Sequence, residues 1–163
     1  MKKILLLGVV GLLAFAVYYF FLQGPLKTDF SFNGEDYQHV EKRNAGDIIN
    51  HNYTPNGVPA ATSHHAIQIL EFSENIEKKD WDTHLKGILV HYNLKPVKNS
   101  DFGWAGKKKQ GKSFIKTYAA PIRVEDEDHV ILYISLDDNP KEETIEEKTS
   151  FINKLKAIET TFQ

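Results

Sequence analysis

The chain of 163 residues contains no cysteine, and this absence restricts both its cross-linking and its chemistry. Disulfide bonds, thiolate metal sites, thiol nucleophiles and the lipid-modified cysteine of a bacterial lipoprotein are all excluded. The chain also lacks a large excess of charge of either sign, since 22 acidic residues stand against 20 basic ones. A slightly acidic protein is a poor non-specific ligand for nucleic acid, so we expect no nucleic-acid partner.

Catalytic and metal-binding motifs are missing as well. The pattern G-x-S-x-G does not occur, and no H-E-x-x-H or comparable spacing brings histidines together. The seven histidines are scattered, and the neighbouring carboxylates at residues 125–128 lie in a polar turn sequence. We therefore predict no catalytic residues, no metal ligands and no cofactor, and we expect that the protein is not an enzyme.

The chain does contain one long apolar run, from Ile4 to Leu22, preceded by two lysines. As a helix, residues 4–22 would cross roughly the ~30 Å hydrocarbon core of a membrane. We predict a signal-anchor transmembrane helix over residues 1–22, which places the protein in the inner membrane as a single-pass protein with a cytoplasmic N-terminus and its domain in the periplasm. The alternative is secretion to the periplasm after cleavage at Ala16, where the sequence fits an A-x-A site.

After this run, the sequence predicts a short linker over residues 23–28 and one extracytoplasmic α+β domain over residues 29–163. The polar stretch from Asn44 to Ala61 is expected to be irregular, with one short strand at most. Alternating apolar side chains predict strands elsewhere, and Asn33-Gly34 predicts a tight turn. The expected strands are Asp29–Phe32, Tyr37–Lys42, Ala66–Phe72, Ser113–Val124 and Val130–Leu136.

Two amphipathic helices complete the predicted domain. The first follows Asp80, and the second is expected to begin with Asn139 as N-cap and Pro140 in the first turn. The predicted fold class is therefore α+β: an N-terminal transmembrane helix followed by one small domain with an antiparallel sheet and two main helices packed on it. This order of strands and helices resembles that of the PsbP-like sandwiches, a resemblance in element order that implies no function.

One motif match is rejected on its context. Gly106 to Ser113 fits the nucleotide-binding pattern G-x-x-x-x-G-K-[ST], but the residues before it are polar and the residues after it predict a strand. A P-loop needs a buried strand before it and a helix after it, so we expect an exposed basic hairpin loop and no nucleotide. The basic and aromatic residues of this region form the candidate interaction surface: Phe102, Trp104, Lys107, Lys108, Lys109 and Lys112.

The function that these features favour is a membrane-anchored periplasmic protein-interaction domain without catalytic activity, such as an immunity or envelope-assembly factor. One alternative is a domain that binds a small ligand or metal between the sheet and the first helix, near Trp81, His84 and Tyr92. A second alternative is an envelope hydrolase that uses Asp, Glu and His side chains.

Overall fold

The computed structural model describes Leu26, residues 28–72, residues 78–100 and residues 102–163. These residues form eight β-strands, two α-helices and a C-terminal 3₁₀ helix. The strands are β1 (Phe30–Phe32), β2 (Glu35–Ala45), β3 (Ile48–Pro55), β4 (His65–Phe72), β5 (Leu94–Pro96), β6 (Trp104–Gln110), β7 (Ser113–Val124) and β8 (Glu127–Asp137). The helices are α1 (Lys78–His91) and α2 (Ile145–Lys156), and the 3₁₀ helix is Ala157–Phe162.

All eight strands belong to one antiparallel sheet in the order β1-β2-β3-β4-β8-β7-β6-β5. Tight turns explain most of these pairings, because residues with positive φ let the chain reverse directly between neighbouring strands. The predicted turn Asn33-Gly34 joins β1 to β2, with φ angles of 52° and 84°. Gly111 makes the turn from β6 to β7 with a φ of 63°. Only the passage from β4 through α1 to β5 crosses the sheet.

Alternating side chains give the sheet two apolar faces, and a helix covers each of them. We name them the α1 face and the α2 face after the helix that packs there. The α2 face carries the larger core, in which Tyr53, Ile67 and Ile131 contact buried residues of α2 and the 3₁₀ helix. On the α1 face, Leu70 and Leu132 pack against Ile88 and its half-buried neighbours in α1. The two helices therefore lie on opposite sides of the sheet.

The predicted fold class was wrong in the balance between strands and helices. Instead of a transmembrane helix followed by a small sheet with two helices on it, the described residues form mostly an eight-stranded antiparallel sheet with one short helix on each face. The predicted transmembrane helix, residues 1–22, lies outside the described residues. Leu26, in the predicted linker 23–28, is buried in the core of the α2 face, and its carbonyl oxygen accepts a hydrogen bond from the Tyr53 hydroxyl.

No helix in the part of the chain that the structure describes has both the length and the apolar character needed to cross a membrane. The 14 residues of α1 extend only about 21 Å at ~1.5 Å per residue, and the 12 residues of α2 carry several charges. This finding corrects the predicted single-pass inner-membrane location with a periplasmic domain. The cleavage site at Ala16, on which the alternative of secretion depends, lies outside the described residues.

Strand β3 is the largest error in the sequence-based strands, since the region from Asn44 to Ala61 was expected to be irregular. The strand has eight residues and pairs with β2 on one side and β4 on the other. Its polar side chains hide the usual apolar alternation, yet His51, Asn52 and Thr54 are buried. Two of them have partners on β4: Gln68 donates to Asn52 at 2.9 Å, and Glu71 lies 2.8 Å from His51 Nε2.

Helix α2 begins later than Asn139 and Pro140 predict. The N-cap is Thr144, whose hydroxyl accepts a hydrogen bond from the Glu147 amide, while the Glu147 carboxylate accepts one from the Thr144 amide. This capping box defines the helix start. The preceding segment, residues 138–143, stays irregular because Glu143 is bonded to the sheet instead of turning with the helix.

Candidate functional site

A cleft of about 240 Å³ opens on the α2 face, between the β5–β6–β7 edge of the sheet and the segment that precedes α2. Tyr118 and the small side chain of Ala105 are part of its lining on the sheet side. Five lysines line the cleft: Lys95, Lys107, Lys116, Lys141 and Lys148. This concentration of ammonium groups is unusual in a chain whose net charge is −2, so the positive charge is local and not a property of the whole surface.

Strand register explains why three of these lysines converge. Lys107 on β6 lies directly opposite Lys116 on β7, so both side chains point to the same face of the sheet. Lys95 on β5 lies opposite Ala105, which in turn lies opposite Tyr118. Because Ala105 is small, space remains between Lys95 and Tyr118. The start of β5 is held against β6 by the Asn93 side chain, which donates a hydrogen bond to the Lys107 carbonyl oxygen at 3.0 Å.

Two carboxylates from the segment before α2 also line the cleft, and they are held very differently. Glu143 accepts a hydrogen bond from the Tyr118 hydroxyl and lies 2.8 Å from the Lys116 ammonium group. Burial and the hydrogen bond to Glu143 raise the pKa of Tyr118, so its hydroxyl stays protonated and continues to donate. Glu142 makes a single contact of 3.2 Å with the Lys107 ammonium group, and its side chain is 90% exposed.

The other three lysines of the cleft have no carboxylate partner among the described residues. Lys95, Lys141 and Lys148 form no ion pair there, although all three line the cleft. Five ammonium groups thus face two carboxylates. Such an excess of positive charge inside a concave surface attracts anionic groups, because the low-dielectric walls of a cleft concentrate the field.

The structure separates the six residues of the candidate interaction surface. Lys107 alone lines the cleft, and Lys109 lies on the same face further along β6, opposite Phe114. Lys108 points to the opposite face, because neighbouring residues of a strand alternate. Lys112 lies in the turn between β6 and β7.

The two aromatic residues of that surface also lie apart. Trp104 is half-buried and packs against the core of the α1 face. Phe102 is 76% exposed in the loop before β6, with a φ of 58°. The other four lysines of the cleft were not predicted from the sequence: Lys95, Lys116, Lys141 and Lys148. Strand alternation was the only signal for the first two, and the sequence carries none for the last two, which reach the cleft through tertiary packing.

The nucleotide-binding pattern lies entirely in the β6–β7 hairpin. Gly106 is inside β6, Gly111 is in the turn and Ser113 begins β7. The segment therefore has a strand where a P-loop has the N-terminus of a helix. Gly106 has a packing role instead, because a Cβ there would lie 2.5 Å from the Asn93 carbonyl oxygen.

The region proposed for a small ligand, between the sheet and the first helix, contains an apolar cleft of about 340 Å³. His84, His91 and Tyr92 line it together with Ile48 and other apolar residues. The Trp81 side chain, which was expected to contribute, lies outside the described residues. No three His, Asp or Glu side chains in the described ranges come close enough together to hold a metal ion.

Compared with known proteins, the chain matches no family model, no curated protein and no solved structure. The geometry of its own residues is therefore the basis for a functional assignment.

His51 makes the stability of the fold depend on pH. Burial lowers the pKa of His51, while its hydrogen bond to Glu71 opposes this shift in part. The folded state thus binds a proton less readily than the unfolded chain, so the free energy of unfolding falls as the pH drops below about 6.5. We expect the substitution His51→Gln to flatten this dependence, measured as urea unfolding between about pH 7.5 and 5.

The matched control for this measurement is His64→Gln, since His64 is an exposed histidine immediately before β4. It should leave the pH dependence of the wild-type protein unchanged. A His51→Gln variant with the same pH dependence as the wild-type protein would show that His51 titrates alike in both states.

Proposed function

We propose that this protein is a non-catalytic interaction domain that binds an acidic segment of a partner protein in the lysine-lined cleft. One observation carries this proposal: three of the five lysines in the cleft have no carboxylate partner among the described residues. Ammonium groups that share a cleft without carboxylate partners repel one another, and an incoming carboxylate reduces that repulsion. The cleft therefore gains most from a ligand that brings several negative charges.

The dimensions and surroundings of the cleft favour carboxylate side chains over a larger polyanion. A cleft of about 240 Å³ admits the carboxylate side chains of a short segment but not a nucleic-acid backbone and its bases. The chain as a whole is slightly acidic, so a long polyanion that extends beyond the cleft would meet negative charge. A short acidic segment avoids this repulsion because its charges stay within the cleft.

The test removes the three unpaired charges and leaves the two existing ion pairs intact. In the variant Lys95→Gln/Lys141→Gln/Lys148→Gln, Lys107 and Lys116 keep their contacts with Glu142 and Glu143. We expect the affinity for a short synthetic polyglutamate peptide, measured by isothermal titration calorimetry at low ionic strength, to fall about tenfold or more. Three exposed charge contacts at about 0.5 kcal/mol each account for a change of that size.

A variant with the same change in net charge outside the cleft provides the control. Lys42, Lys108 and Lys154 are exposed and do not line the cleft, so the substitutions Lys42→Gln/Lys108→Gln/Lys154→Gln should change the affinity less than twofold. Equal losses in the two triple variants would mean that the peptide responds only to total charge, and the proposal would be wrong. It would also be wrong if the wild-type protein did not bind polyglutamate.

A further inference from the structure

We infer that Glu142 occupies the position of a partner carboxylate in the free protein, and that the acidic partner displaces it from Lys107. This inference rests on the proposed function, because it assigns a residue of the chain that competes with the ligand. It follows from the unequal attachment of the two carboxylates of the segment that leads into α2.

Glu143 is part of the fixed wall of the cleft. Its side chain is 24% exposed, and its two oxygens are used separately, one by the Tyr118 hydroxyl and one by the Lys116 ammonium group. Tyr118 itself is buried in the core of the α2 face. Displacement of Glu143 would leave a buried hydroxyl and a half-buried ammonium group without their partners, which is costly.

Glu142 has none of these restraints. It has one ion-pair contact, with Lys107 at 3.2 Å, and 90% of its side chain is in solvent. An exposed pair of this kind contributes little stability, so another carboxylate can replace it at small cost. The backbone on either side is held, by the Ser113 hydroxyl that donates to Asp138 and by the capping box at Thr144. Glu142 can therefore leave Lys107 while the segment stays in place.

The surrounding charges make Glu142 an effective competitor. Lys141 is its neighbour in the chain, and Lys95 and Lys148 line the same cleft, so the positive charge of the cleft also attracts its carboxylate. Because Glu142 is tethered to the site, its local concentration is high whatever the concentration of the partner. A ligand with a single carboxylate must compete with Glu142 for Lys107, whereas a ligand with several carboxylates also neutralises the unpaired lysines. The arrangement therefore selects acidic segments over isolated anions.

The substitution Glu142→Gln tests this inference, because it removes the competing charge and keeps the size of the side chain. We expect the affinity for polyglutamate at low ionic strength to increase about threefold, and the affinity for free acetate to increase by at least the same factor. Glu146→Gln provides the same change in net charge at an exposed position of α2 that does not line the cleft, and it should leave both affinities within about 1.5-fold of wild type.

The outcomes separate this inference from the proposed function. Suppose that polyglutamate binds and that the triple lysine variant of the cleft lowers its affinity as expected, but that Glu142→Gln has the same affinity as Glu146→Gln. The inference that the partner displaces Glu142 from Lys107 would then be wrong, and the proposed function would stand. If wild-type protein does not bind polyglutamate, the proposed function and the inference both fail. Glu143→Gln adds an independent check: we expect a lower melting temperature, because Glu143 is structural, whereas Glu142→Gln should melt at the wild-type temperature. If the two variants lowered the melting temperature equally, the distinction between a structural Glu143 and a displaceable Glu142 would be wrong.

Discussion

Replacement of Leu155 by alanine is expected to lower the free energy of unfolding by about 3 kcal/mol. Leu155 lies in α2 and is completely buried in the core of the α2 face. Truncation removes apolar area from the contact between α2 and the sheet and leaves a cavity, because the sheet cannot close the gap. The measurement is urea unfolding followed by circular dichroism at neutral pH.

The neighbouring residue Lys154 supplies the control for Leu155. Lys154 is exposed on the same helix, and alanine preserves the helical propensity there, so Lys154→Ala should change the free energy of unfolding by less than about 0.5 kcal/mol. A similarly small change for Leu155→Ala would mean that α2 contributes little to the cooperative unit, and the two-faced core described above would be wrong.

Replacement of Gly106 by alanine is expected to destabilise the protein by about 3 kcal/mol, although alanine adds only one methyl group. A Cβ at this position would lie 2.5 Å from the Asn93 carbonyl oxygen and 2.9 Å from that of Tyr92. Both are backbone atoms where the chain leaves α1 and enters β5, so they cannot move without disturbing the pairing of Leu94 with Gly106. The measurement is again the free energy of unfolding in urea.

Two other glycines test whether this effect is steric. Apart from the backbone of its own helix and its chain neighbours, no described atom lies within 4 Å of the ideal Cβ position of Gly87 in α1, so Gly87→Ala should stabilise the helix by about 0.5–1 kcal/mol. Gly111 has open space but a φ of 63°, so Gly111→Ala should cost about 1 kcal/mol from backbone strain alone. If Gly106→Ala cost no more than Gly111→Ala, the close approach of Asn93 to β6 would be contradicted.

Gly106 also illustrates why a motif match needs its structural context. The pattern from Gly106 to Ser113 is complete in the sequence, and its glycines invite a phosphate-binding interpretation. In the structure the two glycines have different roles. Gly106 allows the close approach of a neighbouring backbone, and Gly111 allows a tight turn. Neither role involves a ligand, and a substitution at either position should therefore act on stability.

The lysine-lined cleft could be predicted only in part. Lys107 was included in the candidate surface because it lies in a basic run, yet its neighbours Lys108 and Lys112 do not share its position. Consecutive lysines do not form one cluster in space when they lie on a strand, because successive side chains point to opposite faces of the sheet. The real cluster combines residues from β5, β6, β7, the segment before α2 and α2 itself.

The sequence alone determined the local elements of this protein. Turn residues such as Asn33-Gly34, the apolar alternation of β4 and β8, and the amphipathic stripes of α1 and α2 act over a few residues, so their signal is readable in the chain. The tertiary structure decided what depends on distant partners. Strand β3 is a strand because β2 and β4 pair with it, and residues 138–143 stay outside α2 because Tyr118 and Lys116 hold Glu143 on the sheet. The five lysines share a cleft for the same reason: strand register and helix packing bring together residues that are far apart in the sequence.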